Sequence, residues 1–290
     1  MNMDLFKIAT SFFNIVKRAE VHPPPKMEEK IISKLDDIVF KWSQLKNKVE
    51  HREFFGVDVD LSGLPPKYNK IITDVLPYFD VLRVNVIIYT TGSVTNKSDI
   101  MLGTFNSNDF CVNINIYLPQ DSGYAHWISH REGLVKTTVA HELGHMIQYF
   151  RWLLQMKEST GKKITHFMNS FWQSGSGIIS NTRRKPTDVI KKPTTTLQAK
   201  FLKDIEFETY LLDSVRTFES MINMGGWISK TKEQRIKEIM SFVGSPKPTQ
   251  NTNFFFATLY EYDMHKWRLA VKHFLPRFRE KLIDAKTKNI

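Results

Sequence analysis

One run constrains this chain more than any other: residues 137–150, TTVAHELGHMIQYF, in which His141, Glu142 and His145 stand in the order HExxH. An α-helix puts residues i and i+4 on one face, so both imidazoles can point at one cation while Glu142 reaches water beside it. Val135, Val139, Leu143, Met146, Ile147, Phe150 and Leu154 recur at three- and four-residue steps, and Thr138, His141, His145, Gln148 and Trp152 line a different stripe. The spacing predicts a helix over about residues 134–155 that buries the first face and turns the second to a cleft. Gly144 weakens such a helix by about 1 kcal/mol relative to Ala, and its missing Cβ leaves room for another segment at the metal-facing turn. The chemistry these residue types imply is hydrolysis by a zinc-activated water, with Glu142 as general base.

The chain has 290 residues, 41% of them hydrophobic, enough to bury a sizeable core in one large domain or in a domain with a helical annex. Its single cysteine, Cys111, excludes an internal disulfide framework and a cysteine-rich zinc site, so a metal must be held by His and carboxylates. Residues 1–20 place Asp4 and Lys7 inside what a secretory leader would keep apolar, which predicts an amphipathic helix and no signal peptide. No run reaches the length of a membrane span. The expected protein is soluble, cytoplasmic or virion-associated, with no membrane partner; the pattern says nothing of oligomeric state.

The formal net charge is +11. Basic residues concentrate at Arg183, Arg184, Lys185, Lys191 and Lys192, and again at Lys266, Arg268, Lys272, Arg277, Arg279 and Lys281. A solvated surface and weak nucleic-acid contact both fit this excess, and no nucleic-acid-binding motif accompanies it.

The pattern along the chain predicts an α+β fold. Residues 1–75 read as a helical N-terminal segment broken at 22–26 and 63–66, with an amphipathic helix over 27–49 carrying Ile31, Ile32, Leu35, Ile38, Val39, Trp42 and Leu45 on one side. A second domain is expected over 76–290. It opens with strands at 81–90, 100–105 and 111–118, the last alternating Val112, Ile114, Ile116 and Leu118 against Asn113, Asn115 and Tyr117. A loop over 119–133, holding His126 and His130, leads into the HExxH helix. Polar loops follow over 157–200, with a short helix at 164–172. Helices resume over 201–220 and dominate to 290, and the aromatic face of 254–282 should pack into a core.

A catalytic zinc usually takes three protein ligands and leaves one position for water. The HExxHxxGxxH extension of metzincins is absent, because Gln148 and Arg151 occupy the places of Gly and His. Further candidates lie in LKDIEFETYLLDSV, residues 202–215. HELGHMIQ followed by this segment resembles the gluzincins, of which thermolysin is one, and the compact phage and bacterial peptidases that include the ImmA/IrrE type. That resemblance implies a zincin-like fold: a small mixed or antiparallel sheet, an HExxH helix and a mainly helical remainder. It also implies a zinc endopeptidase acting on protein or peptide, whose third ligand is a Glu with a small residue three positions on. Glu206, with Thr209, fits; Glu208, with Leu211, is the second choice. In zincins the strand shortly before the active helix is an edge strand that pairs with substrate, here 111–118. Tyr210 is the candidate to stabilise the oxyanion, beside Tyr260, Tyr262 and His265, and Asp213 is a candidate to orient a ligand histidine. A second resemblance is to SprT and Spartan proteases, which act on DNA-bound protein; it implies His166 as third ligand, flanked here by Thr165 and Phe167 in place of glycines. A non-catalytic zincin scaffold in a virion or regulatory complex is the third reading.

Overall fold

In the computed structural model of the protein, which describes residues 25–46, 48, 50–60, 79–91, 101–160, 192–224 and 226–278, the three expected β-runs are strands and a fourth joins them. β1 (His51–Asp58), β2 (Val81–Thr91), β3 (Met101–Asn106) and β4 (Cys111–Pro119) form a mixed sheet in the order β1-β2-β4-β3. β2 and β4 are parallel, while β1 and β3 run antiparallel to their neighbours. The alternation in β4 does what period two requires: Val112, Ile114, Ile116 and Leu118 are buried and Asn113, Asn115 and Tyr117 are partly exposed. Register places Val84, Val86 and Ile88 of β2 opposite Val112, Ile114 and Ile116, so one face of the sheet is continuous core.

Two expectations about this sheet need correction. β4 is not the edge strand: it lies between β2 and β3, and among the described residues the edges are β1 and β3. Nor is the chain before residue 75 helical throughout, since β1 pairs with β2 along its whole length. HREFFGVD alternates in twos, with Glu53, Phe55 and Val57 turned inward and Phe54 exposed by 78%. Tertiary pairing with a strong central strand decides such a short segment.

α1 (Pro25–Ser43) buries Ile31, Ile32, Leu35, Ile38, Val39 and Trp42 as its periodicity predicts. It stops short of residue 49. The Ser43 hydroxyl donates to the Phe40 carbonyl, and Leu45, expected on the buried face, lies past the end and is exposed. The expected loop over 119–133 is structured instead: α2 (Gly123–His130) runs into a π-helical turn (Arg131–Val135) and then into α3 (Lys136–Thr160). Trp127 explains why. Its ring is fully buried and its Nε1 donates to Asp36 Oδ1 on α1 at 2.7 Å, while Arg131 Nε donates to Asp36 Oδ2 at 2.8 Å. A Cβ on Gly123 would stand 2.5 Å from the Trp42 ring, so the start of α2 needs glycine to lie against α1.

The described residues fall into two compact units, one within 20–176 and one within 177–290; sequence placed its boundary at residue 75. In the second unit, α4 (Thr196–Phe201), α5 (Asp204–Met224), α6 (Lys232–Val243), α7 (Phe254–Tyr262) and α8 (Met264–Phe274) enclose an aromatic core that includes Phe207, Phe218, Phe242, Phe256, Phe274 and Phe278. Thr195 and Thr231 open α4 and α6 with capping boxes completed by Gln198 and Gln234. Helices thus resume in the second unit, and α4 begins inside the stretch expected as loop. Lys266, counted among the basic surface residues, is buried and its Nζ donates to the Leu202 carbonyl. No helix among the described residues is long and apolar enough to cross a membrane. The expected N-terminal helix over 1–20, the breaks at 22–24 and 63–66, the helix at 164–172, Arg183 to Lys191, and Arg279 and Lys281 lie outside the described residues.

Candidate functional site

α3 carries the HExxH residues, and its apolar stripe is buried as expected: Val139, Leu143, Met146, Ile147 and Phe150 are each 1% exposed or less. Tyr149 and Phe150 reach an aromatic group with Phe79, Phe105 of β3 and Phe110 of the β3–β4 turn, which fixes the helix beneath the sheet. Burial pushes the Tyr149 phenol above its usual range, so it holds its proton at neutral pH.

One turn nearer the helix start, His141 is partly exposed and His145 is 3% exposed, with ring centroids 4.9 Å apart and planes at 84°. The i, i+4 spacing therefore gives two imidazoles side by side on one helical face. The stripe they share closes towards its C-terminal end, where Gln148 and Trp152 are buried rather than cleft-facing. Gln148 Oε1 lies 2.8 Å from His145 Nδ1.

Glu142 is 5% exposed and lies against β3. A Cβ built on Gly103, in the middle of that strand, would come within 2.7 Å of Glu142 Cγ, 2.9 Å of Glu142 Oε1 and 3.0 Å of Thr138 Cγ2. Gly103 is opposite Ile114 and shares its inward face. Only glycine lets the strand backbone approach the carboxylate this closely. Sequence reasoning singled out Gly144 and missed Gly103; a glycine inside a β-run was the available signal. It placed Gln148 on the helical face of His145 but gave it no role.

The remaining candidates sit on the helical unit. Glu206 and Glu208 on α5 are both partly buried. Thr209, three positions after Glu206, is 2% exposed, and its hydroxyl donates to the Glu206 carbonyl at 2.8 Å. Leu211, three after Glu208, belongs to the aromatic core. Tyr210 packs edge-on against Phe201 with centroids 4.5 Å apart. Tyr260 donates to the Pro246 carbonyl, Tyr262 lies 3.4 Å from the Thr194 hydroxyl, and His265 is buried. Asp213 also lies on α5. His166 lies outside the described residues.

His126 and His130 stand on α2 and not in a loop, with ring centroids 4.4 Å apart and His130 Nδ1 bonded to the His126 carbonyl at 2.9 Å. Burial, and then the neighbouring His130, hold His126 below the ordinary imidazole pKa. Cys111 is buried on β4, and burial together with nearby Asp109 raises its thiol pKa, which keeps it an unreactive core residue.

The fold and the α3 residues define an α+β protein with an HExxH helix lodged beneath a four-stranded mixed sheet. Compared with known proteins, the chain matches no family model, no curated protein and no solved structure.

Proposed function

We propose that the protein is a zinc-dependent endopeptidase of the gluzincin type, with His141, His145 and Glu206 as ligands and Glu142 as general base. The observation that carries this reading is the setting of Glu142: a nearly buried carboxylate, next to two paired imidazoles, held under β3, whose glycine makes room for it. The donor chemistry supports the metal, because two imidazoles with one carboxylate suit zinc.

Zinc held there supplies Lewis-acid polarisation and the acidity that makes water a nucleophile near neutral pH. Glu142 accepts the proton of the attacking water at its carboxylate and delivers it to the leaving nitrogen, which is the work of a positioned acid and base. β3 pairs on one side, with β4, among the described residues. Its outer edge offers the backbone N–H and C=O groups that an extended peptide can pair with, beside the base. The zincin resemblance put this role on 111–118, which is the interior strand β4; in this proposal β3 takes it. Tyr210 is retained as the candidate oxyanion donor on chemical grounds.

The test is a set of three variants on full-length protein, read by zinc content and by cleavage of a labelled unfolded protein. Glu142→Gln should abolish cleavage with zinc retained, and Glu206→Ala should strip zinc. His166→Ala should leave zinc in place; loss of zinc there and not in Glu206→Ala would move the third ligand to His166. A fully active Glu142→Gln protein would falsify the mechanism.

A further inference from the structure

We infer that Gln148 is a positioning residue that selects which nitrogen of His145 faces the metal, an inference that rests on reading His145 as a ligand. The two side chains lie on one face of α3, Gln148 Oε1 2.8 Å from His145 Nδ1. The amide oxygen only accepts, so the proton of this bond resides on Nδ1 and the lone pair on Nε2. A neutral imidazole in that tautomer, with its ring plane fixed by the bond, is a prepared metal donor.

The amide itself supplies the second observation. Gln148 is 2% exposed, and its Nε2 has no hydrogen-bond partner among the described residues. A buried N–H group left unpaired costs free energy that a Met or Leu of similar size would not. Folding alone gives no reason to keep an amide here; holding His145 does. The neutral acceptor also differs from the carboxylate that sequence reasoning expected in this role at Asp213. It orients the ring without adding negative charge next to the buried pair of Glu142 and His145.

Zinc affinity, measured on the full-length protein by competition with a chelating dye, tests this, with thermal melting of the metal-free form in parallel. Gln148→Met should weaken zinc binding about 10–100-fold, the usual effect of losing a partner that orients a ligand, while the metal-free protein melts at the same or a higher temperature. Gln148→Glu should hold zinc at least as tightly as wild type, because its oxygen accepts the same bond. A Gln148→Met protein with wild-type affinity overturns the inference, as does a Gln148→Glu protein that loses affinity 10-fold or more. Should Gln148→Met not fold, Gln148→Glu decides alone by the same criterion. His145→Ala separates the two levels. If it loses zinc while Gln148→Met does not, only the role of Gln148 fails; if it binds zinc like wild type, the metal-site reading fails and the inference with it.

Discussion

Gly103→Ala is the sharpest perturbation available, because one methyl group tests both the packing of β3 on α3 and the task of Glu142. The new Cβ would meet Glu142 Cγ at 2.7 Å, its Oε1 at 2.9 Å and Thr138 Cγ2 at 3.0 Å, all closer than ordinary van der Waals contact. Something must move, and the Glu142 side chain is the part that can. Inserting a methyl into a packed site typically costs about 1–3 kcal/mol, which lowers the melting temperature by about 2–4 °C per kcal/mol in a domain of 150–250 residues. Two of the three short contacts belong to Glu142, so Glu142→Ala should remove most of that cost. The double mutant should then show a coupling of about 0.5–3 kcal/mol, as contacting residues do. On function, a base displaced from its position forfeits a large part of the roughly 10²–10⁴-fold that general base catalysis supplies, with zinc content unchanged. Melting of the four proteins of the cycle and cleavage assays on wild type and Gly103→Ala measure these quantities. Strict additivity of the two substitutions, or full activity in Gly103→Ala, would refute the close approach as a functional feature.

Two further outcomes follow from the first unit's packing. Trp127→Ala empties a fully buried site and leaves Asp36 without its indole donor, so chemical denaturation should report a loss of about 3–5 kcal/mol; a loss below 1 kcal/mol would show that α2 does not anchor α1. His126 has a depressed pKa in the fold, so below its ordinary value of 6.5 the unfolded chain takes up a proton before the folded one does. Stability should therefore fall as pH drops from about 6.5 towards the folded pKa, and His126→Gln should flatten that fall; identical profiles for the two proteins between pH 7 and 5 would refute the assignment.

What the sequence made legible was whatever depends on neighbours along the chain. The stripe from Val135 to Phe150 and the alternation from Val112 to Leu118 are local periodicities, and their apolar positions are buried as the pattern requires. What it hid depends on partners far away. HREFFGVD becomes a strand because β2 lies beside it, and GYAHWISH becomes a helix because Trp127 finds Asp36 on α1. The sheet order was hidden for the same reason. Nothing in the alternation of β4 distinguishes an interior strand from an edge, since one buried face looks alike in both. The HExxH residues were legible because their spacing is itself the geometry, whereas Gly103 acquires its meaning only once β3 crosses α3.

Gly103 and Gln148 then divide the site's two demands between them. Gly103 touches Glu142 and Thr138, and Gln148 touches His145. A methyl at Gly103 acts on the proton acceptor, while a thioether at Gln148 acts on how a ligand nitrogen is presented. Activity lost by Gln148→Met should therefore recover as zinc is raised, because mass action offsets weaker binding. Activity lost by Gly103→Ala should not recover, because no concentration of metal returns a displaced carboxylate to its place. If both deficits respond to zinc alike, the base and the ligands are one mechanical unit, and the separate roles assigned to β3 and to Gln148 fall together.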